Sequence, residues 1–477
     1  MKNIISVLAL SVLIYSCNKH NMGHMDMGMP VNVVEGNFNS LLPIPNEEGG
    51  NTTLTAQMTT ANLNGGSFSV LGYKANSILG PTIRVNSNST VNINFQNNLS
   101  EESNIHWHGL KIPSNMDGHP SNAINTGASF NYQFNVDQRA GLNWYHPHIH
   151  MLTGKQVYKG LSGLFIVNDA EESALNLPSG NLEIPLIIQD KRLSITGLNY
   201  NPSMSEMMSG YMGESILVNG VKSPYTEVAT RFYRLRILNG SNARIYNLKM
   251  SDNSSFTIIG NDGGLLSAPE TVNSVMLAPA ERLDILVNFT NTTLGSEVFL
   301  ESTTFANGGD AQGQQSFKIL KFKVTQEFED NFVIPSTLSF IPALSAATNT
   351  RNFALTEMEM SGEHSMSGMH RINDKIFDIN RIDETISPNT TEFWIFENKG
   401  NEPHPIHLHG VHFQIVERTG GRPIIPSEKG WKDVVLIMPG EKVKLIIPFG
   451  SYSGKFVFHC HNLEHEDDGM MLQYLIQ

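Results

Sequence analysis

Four short stretches of the chain each contain two histidines separated by a single residue: His106/His108, His146/His148, His407/His409 and His459/His461. Side chains along a β-strand alternate between its two faces, so residues i and i+2 share a face. Each stretch is therefore expected to present two imidazoles side by side. Imidazole binds copper, zinc, iron and nickel, so the four pairs predict a transition-metal centre without selecting the metal.

A cysteine in the last of these stretches selects the metal. Cys460 separates the two histidines of its pair, so its thiol is expected on the opposite face of the strand. His404, His465 and Met470 can converge with it there. Two imidazoles, a thiolate and a weakly bound thioether form the ligand set of blue-copper electron-transfer sites, whereas zinc has no redox chemistry that would use it. The pattern predicts copper redox chemistry, with electrons passing from Cys460 through the backbone to both neighbouring histidines.

The N-terminus predicts export. Residues 1–16 combine one lysine with an apolar run too short for a comfortable membrane span, which is typical of a signal peptide. Residues 13–17 resemble a bacterial lipoprotein box, so Cys17 is predicted to become a lipidated N-terminus; a simple secretory signal is the alternative. Residues 17–37 are predicted to form a flexible Met/His-rich tether. The expected location is periplasmic or cell-surface, as a lipoprotein anchored to a membrane.

Net charge and cysteine content restrict the possible binding partners and disulfide bonds. The formal net charge is −13, which argues against a nucleic-acid partner and is compatible with cations. With Cys17 lipidated, Cys460 is the remaining thiol of the mature chain and no intrachain disulfide can form. A monomer is predicted, with membrane contact only through the lipid on Cys17.

Short β-strands are predicted to position the chemical groups. Alternating apolar residues such as Val91, Ile93 and Phe95 stand between clusters of Gly, Asn and Pro, which is typical of antiparallel strands with one buried face. The arginine-flanked Leu235 and Ile237 repeat the pattern. The chain is therefore predicted to be all-β and sandwich-like.

The distribution of histidine agrees with a division into domains at 38–172, 173–335 and 336–477. None of the 17 histidines lies between residues 151 and 363. The middle domain is therefore predicted to be a scaffold without copper ligands. The chemistry is expected where the first and last domains meet.

The motifs around these residues resemble those of the multicopper oxidases over nearly the whole mature chain. HWHGLKIPSNMDGHP, NWYHPHIH and HCHNLEHEDDGMM resemble bacterial cuprous oxidases, and PSEKGWKD and FGSYSGKFVFHCH resemble spore-coat-type laccases. The resemblance implies three cupredoxin-like domains, each a Greek-key β-sandwich, and four copper ions.

The resemblance also implies which residue binds which copper. For the type 1 copper the matching residues are His404, Cys460, His465 and Met470. For the type 2 copper they are His106 and His407. For the two type 3 coppers they are His108, His146 and His461, and His148, His409 and His459. Asp117 and Glu466 match acidic residues that deliver protons in the family; the alternative is that they orient ligands through hydrogen bonds.

The activity that this resemblance implies is that of a laccase-type oxidase. A phenolic or aromatic compound, Cu(I), or both would give single electrons to the type 1 copper, and O2 would be reduced to water at the other three. A cluster of methionines, Met358, Met360, Met366 and Met369, is a possible Cu(I) site because thioethers prefer Cu(I). The alternative for this cluster is a flexible loop over the type 1 pocket.

Three other copper functions are alternatives to this activity. A dedicated cuprous oxidase for copper detoxification would use the methionines as its substrate site. A copper nitrite reductase needs far fewer histidines than the four pairs supply. A copper-binding or storage protein would have no use for a thiol that bridges two metal sites.

Overall fold

The computed structural model describes residues 30–477 apart from 64, 195–196, 310, 345–346 and 359–367. The predicted signal peptide and Cys17 lie outside the described residues. Among those described, no helix is long and apolar enough to cross a membrane. Residues 30–37 fall in the predicted tether and lie against the middle domain, where the backbone N–H of Val33 donates to Gln315 at 2.7 Å.

The first domain is built from two packed sheets, in the orders β4-β3-β6-β8 and β2-β5-β10-β9-β7. The strand β1 (Ser40–Leu41) precedes this domain in the chain and pairs with β16 of the middle domain. The elements of the first domain are β2 (Glu47–Glu48), β3 (Asn51–Asn62), β4 (Ser67–Gly72), β5 (Thr82–Asn86), β6 (Ser89–Asn97), β7 (His106–His108), β8 (Ser129–Val136), β9 (Gly141–His146), α1 (Thr153–Tyr158), β10 (Gly163–Asn168) and α2 (Ala170–Ala174). Val91, Ile93 and Phe95 on β6 are fully buried, as the alternation predicts.

The middle domain has sheets in the orders β1-β16-β24-β23-β18-β21 and β15-β14-β11-β17-β22-β19-β20, with β12 and β13 forming a separate hairpin. Its elements are β11 (Glu183–Lys191), β12 (Leu193–Ser194), β13 (Gly197–Leu198), α3 (Met204–Ser209), β14 (Ser215–Val218), β15 (Val221–Lys222), β16 (Pro224–Ala229), β17 (Phe232–Asn239), β18 (Tyr246–Met250), β19 (Phe256–Asn261), β20 (Gly264–Val272), β21 (Ser274–Leu277), β22 (Arg282–Asn288), β23 (Glu297–Ser302) and β24 (Phe317–Gln326).

The last domain has sheets in the orders β26-β25-β28-β32-β30 and β27-β34-β33-β29-β31. Its elements are β25 (Asn349–Glu357), β26 (His370–Ile372), β27 (Glu384–Ile386), β28 (Thr391–Asn398), β29 (His404–Leu408), β30 (Gln414–Thr419), β31 (Val434–Ile437), β32 (Lys442–Pro448), β33 (Gly454–Cys460), α4 (Leu463–Asp467) and β34 (Met471–Ile476). The all-β prediction with three cupredoxin-like domains is confirmed.

The expectation of one buried face is wrong for β17. Leu235 and Ile237 are buried as predicted, but Arg234 and Arg236 on its other face are only 1% and 0% exposed. Both guanidinium groups lie against Glu172 of α2, at 3.0 and 2.7 Å. This face of the middle domain packs against the first domain, and the ion pairs compensate the burial of the arginine charges.

Candidate metal centre

Strand pairing brings the histidine pairs together in two sets. In the first domain β7 runs antiparallel to β9, with His106 opposite His146. In the last domain β29 runs antiparallel to β33, with His407 opposite His459. The rings within each pair are neighbours, and their centroid separations range from 4.9 Å for the 407/409 pair to 6.2 Å for the 146/148 pair.

In three of the four pairs, the residue between the two histidines faces the interior of its own domain. Trp107 lies in the core of the first domain, and Leu408 and Cys460 lie in the core of the last, each 0% exposed. The period-two geometry of a strand thus puts the Cys460 thiol on the opposite side from the imidazoles.

One histidine from each outer domain forms the first group of nitrogens. Nδ1 of His106 donates to the carbonyl oxygen of Asp117 at 2.7 Å, and Nδ1 of His407 donates to the carbonyl of Asp433 at 2.8 Å. Because a neutral imidazole has one N–H, both Nε2 atoms carry lone pairs. These Nε2 atoms lie 3.3 Å apart, and a cation between them would relieve the repulsion of facing lone pairs.

A second group contains three histidines. Nε2 of His459 lies 3.1 Å from Nε2 of His148 and 3.2 Å from Nε2 of His409. Nδ1 of His409 donates to the Asp117 carboxylate at 2.7 Å, which leaves its Nε2 as a lone-pair donor for a metal. The ligating nitrogens of all three lie close enough together to hold one metal ion.

A third group is formed by His108, His146 and His461. Their ring centroids are 5.1 to 5.7 Å apart. Among the described residues, Nδ1 of His108, Nε2 of His146 and both nitrogens of His461 have no hydrogen-bond partner. Buried polar atoms are normally satisfied, so these orphaned nitrogens also fit a metal.

Burial supports metal binding at all three groups. It lowers the pKa of His106, His148 and His461, one from each group, well below the usual value, and neighbouring imidazoles lower it further. Neutral imidazole is the form that binds transition metals. Soft to borderline nitrogen donors, buried and with free lone pairs, are a donor set that fits copper.

Two buried carboxylates contact these histidines. Besides His409, the Asp117 carboxylate approaches His106 Nδ1 at 3.7 Å, and its Oδ1 has no hydrogen-bond partner among the described residues. Burial raises the pKa of Asp117 well above its usual value. Glu466 on α4 lies 3.0 Å from Nδ1 of His459 and 3.6 Å from Nδ1 of His148. Both acids thus lie where they could orient ligands or move protons.

The thiol is the centre of a separate cluster. Sγ of Cys460 lies 3.5 Å from Nδ1 of His404 and 3.6 Å from Nδ1 of His465, and the two nitrogens are 3.3 Å apart. Met470 is fully buried in the same core, and its carbonyl accepts from the backbone N–H of Cys460 at 3.0 Å. Burial raises the pKa of the Cys460 thiol, so a thiolate there requires a nearby cation.

Two of the four predicted Cu(I)-binding methionines belong to the described residues. Met360 and Met366 lie outside the described residues. Met358 and Met369 flank that gap, with the backbone N–H of Met358 donating to the carbonyl of Met369 at 2.8 Å. Met369 is only 3% exposed, and Sδ of Met358 accepts from Arg371 at 3.3 Å.

Sequence reasoning missed a histidine at the thiol cluster. The His370 ring stacks on His465 with centroids 3.7 Å apart, and both residues donate from Nε2 to the carbonyl of Met208 on α3, at 2.9 and 2.8 Å. His370 thus covers one face of the His465 ring, and the Met208 carbonyl covers its Nε2 edge. The methionine-rich composition around His370 was the available signal, but it gave no indication of which ligand His370 would contact.

Comparisons with known proteins identify a family. Three family models, each described as multicopper oxidase, match residues 55–172, 201–321 and 346–477. The multicopper oxidase mco of Staphylococcus haemolyticus is 36% identical over 95% of this chain and 96% of its own length. The laccase of Bacillus subtilis is 34% identical over 82% of this chain and 87% of its own. The crystal structure of the McoA multicopper oxidase from Aquifex aeolicus superposes with a TM-score of 0.84 at 33% identity, covering 93% of this chain and 100% of that one.

Proposed function

The chain belongs to the multicopper oxidase family, and from this we propose that it couples one-electron oxidation of phenolic or aromatic compounds, of Cu(I), or of both to four-electron reduction of O2 to water. Its cofactors are copper ions. The proposal depends on the position of Cys460. Its Sγ lies in the cluster with His404 and His465, whereas its sequence neighbours His459 and His461 lie in the histidine groups on the other side of the strand.

The proposal assigns four coppers. His404, Cys460, His465 and Met470 would hold the type 1 ion, His106 and His407 the type 2 ion, and the trios His108/His146/His461 and His148/His409/His459 the type 3 ions. The facing lone pairs and orphaned nitrogens of these histidines support the assignment. When bound, the four coppers would each store one electron taken from the reductant at the type 1 site, and together they would supply the four electrons that reduction of O2 to two waters requires.

Other residues are assigned to electron transfer and to proton delivery. Cys460 provides a covalent backbone path from the thiol to His459 and His461. Asp117 and Glu466 are proposed to supply protons near the cluster. The hydrogen bond between Asp117 and Nδ1 of His409 also fixes which nitrogen of that ring faces inward, and for His459 the carbonyl of Cys460 does the same at 3.0 Å.

Two features near His465 favour different reductants. A cavity of about 350 Å³ is lined by Tyr200, Met207 and Phe377 and also by two carboxylates at the end of α4. Its aromatic and thioether side chains suit an aromatic substrate. His370, which stacks on His465, directly follows Met369 of the methionine-rich stretch in the chain, which suits Cu(I). The second feature supports cuprous oxidation for copper detoxification as the second candidate.

Replacing residues 359–367 by a short Gly-Ser linker separates the two candidates. Because this segment carries two of the four methionines, kcat/KM for Cu(I) should fall by about tenfold or more, or about 1.4 kcal/mol. The value for a dimethoxyphenol should change by less than about threefold. The measurement is O2 consumption with each reductant, with and without added Cu(II).

The exposed Met204 on α3 offers a matched control, because Met204→Leu removes a thioether elsewhere at similar volume. This variant should oxidise both reductants normally. If the linker variant loses both activities equally, the segment is a cover for the type 1 pocket and the Cu(I) site is rejected.

Copper loading should stabilise the fold strongly. The eight cluster histidines come from two domains, so bound copper ties these domains together, and binding to the folded state alone adds about 4 kcal/mol at 1,000 times Kd. We expect calorimetry to give a Tm at least about 4 °C higher for the loaded protein than for the chelator-treated protein. His119→Gln, which removes a buried histidine outside the three groups, should keep this increase, and His409→Gln should lose much of it. An unchanged Tm on loading would contradict copper binding across the interface.

The proposal includes export, with residues 1–16 removed and Cys17 lipidated, as a monomer in the periplasm or on the cell surface. Support comes from the apolar run that ends just before Cys17. Intact mass spectrometry of the mature protein should show loss of residues 1–16 and the added mass of a lipid. A mature chain without the lipid would reject lipidation of Cys17 and support a simple secretory signal peptide instead.

A further inference from the structure

A middle-domain arginine reaches the interface between the two outer domains. Arg282 begins β22 and is 0% exposed. Its Nε donates to the carbonyl of Leu142 in the first domain at 3.0 Å, and Nη1 donates to Oδ1 of Asp433 in the last domain at 2.7 Å. The remaining N–H groups go to the carbonyls of Ala280 and Asp262, at 3.0 and 3.1 Å, and to Oδ2 of Asp433. All five guanidinium donors are therefore used, and one side chain joins three domains.

The carboxylate that Arg282 holds lies directly against two cluster histidines. Oδ1 of Asp433 accepts from Nε2 of His108 at 3.1 Å. The carbonyl of Asp433 accepts from Nδ1 of His407 at 2.8 Å, and its Oδ1 is 3.6 Å from the same nitrogen. These contacts decide which nitrogen of each ring carries the proton and leave Nδ1 of His108 and Nε2 of His407 as the lone-pair donors.

The backbone around Asp433 is held by the same domain. The Asp262 carboxylate accepts from the backbone N–H of Val434 at 3.2 Å and lies 2.9 Å from Nζ of Lys432. It also accepts from the backbone N–H of Arg282 at 2.8 Å. On the other side, Gly109 has a φ of +90°, and a Cβ there would collide with the side chains of Arg282 and Asp433. Contacts with the middle domain thus fix the position of Asp433, which immediately precedes β31.

We propose that Arg282 is a positioning residue that, through Asp433, sets the ring orientation and tautomer of His108 and His407 and thereby the copper occupancy of the type 2 site and of the type 3 site to which these two ligands belong. This inference rests on the proposed function. The middle domain contributes no histidine, yet it controls the geometry of ligands from both neighbours. Partners that orient metal ligands typically change metal affinity by about 10- to 100-fold when they are removed.

The test compares Arg282→Lys with Arg236→Lys after copper loading. Arg236 is a matched control because it is also a fully buried middle-domain arginine, ion-paired with Glu172 and Glu183 away from the histidines. Copper per chain is measured by elemental analysis, the type 2 signal by electron paramagnetic resonance, and the type 1 site by its blue absorption. We expect Arg282→Lys to lose at least half of the type 2 signal and to alter its hyperfine splitting while keeping the blue band. Arg236→Lys should keep both.

An unchanged type 2 signal and copper content in Arg282→Lys, or an equal loss in Arg236→Lys, would overturn the inference. If Arg282→Lys does not fold, the double variant Arg282→Gln/Asp433→Asn decides, because it removes both buried charges together. Loss of type 2 copper with a retained blue band supports the inference, and full copper overturns it. A wild-type protein that binds no copper would instead defeat the proposed function.

Discussion

Replacing Cys460 by serine should abolish the blue absorption of thiolate-bound copper and reduce oxidase turnover by at least about 10³-fold, or about 4 kcal/mol in the activation barrier. The hydroxyl of serine is a poor ligand for copper at this site, and the backbone path from Cys460 to the other cluster begins at the sulfur. Serine fits the space but buries a polar group, which costs about 1–3 kcal/mol of folding stability. The fold and the remaining copper should therefore survive.

The measurements are the visible spectrum, copper per chain and O2 consumption with a phenol. Met471→Leu is the matched control, because Met471 is a fully buried neighbour of the site outside the proposed ligand set and the exchange conserves volume. This control should stay blue and active. Continued oxidation of the phenol by Cys460→Ser would contradict the assigned role of the thiol.

Asp117→Asn should slow reoxidation of the reduced enzyme by O2 by about 10²-fold, the scale of general acid catalysis. The asparagine oxygen can still accept from Nδ1 of His409, so the ring stays oriented. Oδ1 of Asp117, which is buried and free of hydrogen-bond partners among the described residues, is replaced by an amide that does not exchange protons in this way. Stopped-flow measurements should show normal bleaching of the blue band by a phenol without O2 and slow return of the colour with it.

Asp383→Asn serves as the control, since Asp383 is a buried last-domain carboxylate paired with Arg381 rather than with a histidine. It should reoxidise at the normal rate. If Asp117→Asn loses copper and both half-reactions slow together, Asp117 orients ligands and the proton role is rejected.

Local geometry explains how much of this protein could be predicted. The alternation of side chains along a strand needs only neighbouring residues, and it was enough to predict the all-β fold, the paired imidazoles and the thiol of Cys460 on the opposite face. The motifs then predicted the family, which the comparisons confirm. The ligand sets, the proton role of Asp117 and Glu466, and the methionine site stay predictions.

The sequence by itself thus determined the class of fold and the chemistry, because both depend on short-range order and residue type. Only the tertiary structure decided what surrounds the ligands. His370 stacks on His465, 95 positions later in the chain, and Arg282 reaches Asp433, 151 positions later. These contacts arise from the packing of separate strands and domains, which no local periodicity encodes. In the same way, the buried Arg234 and Arg236 resemble surface arginines in sequence, and only the first domain packed against them makes them internal.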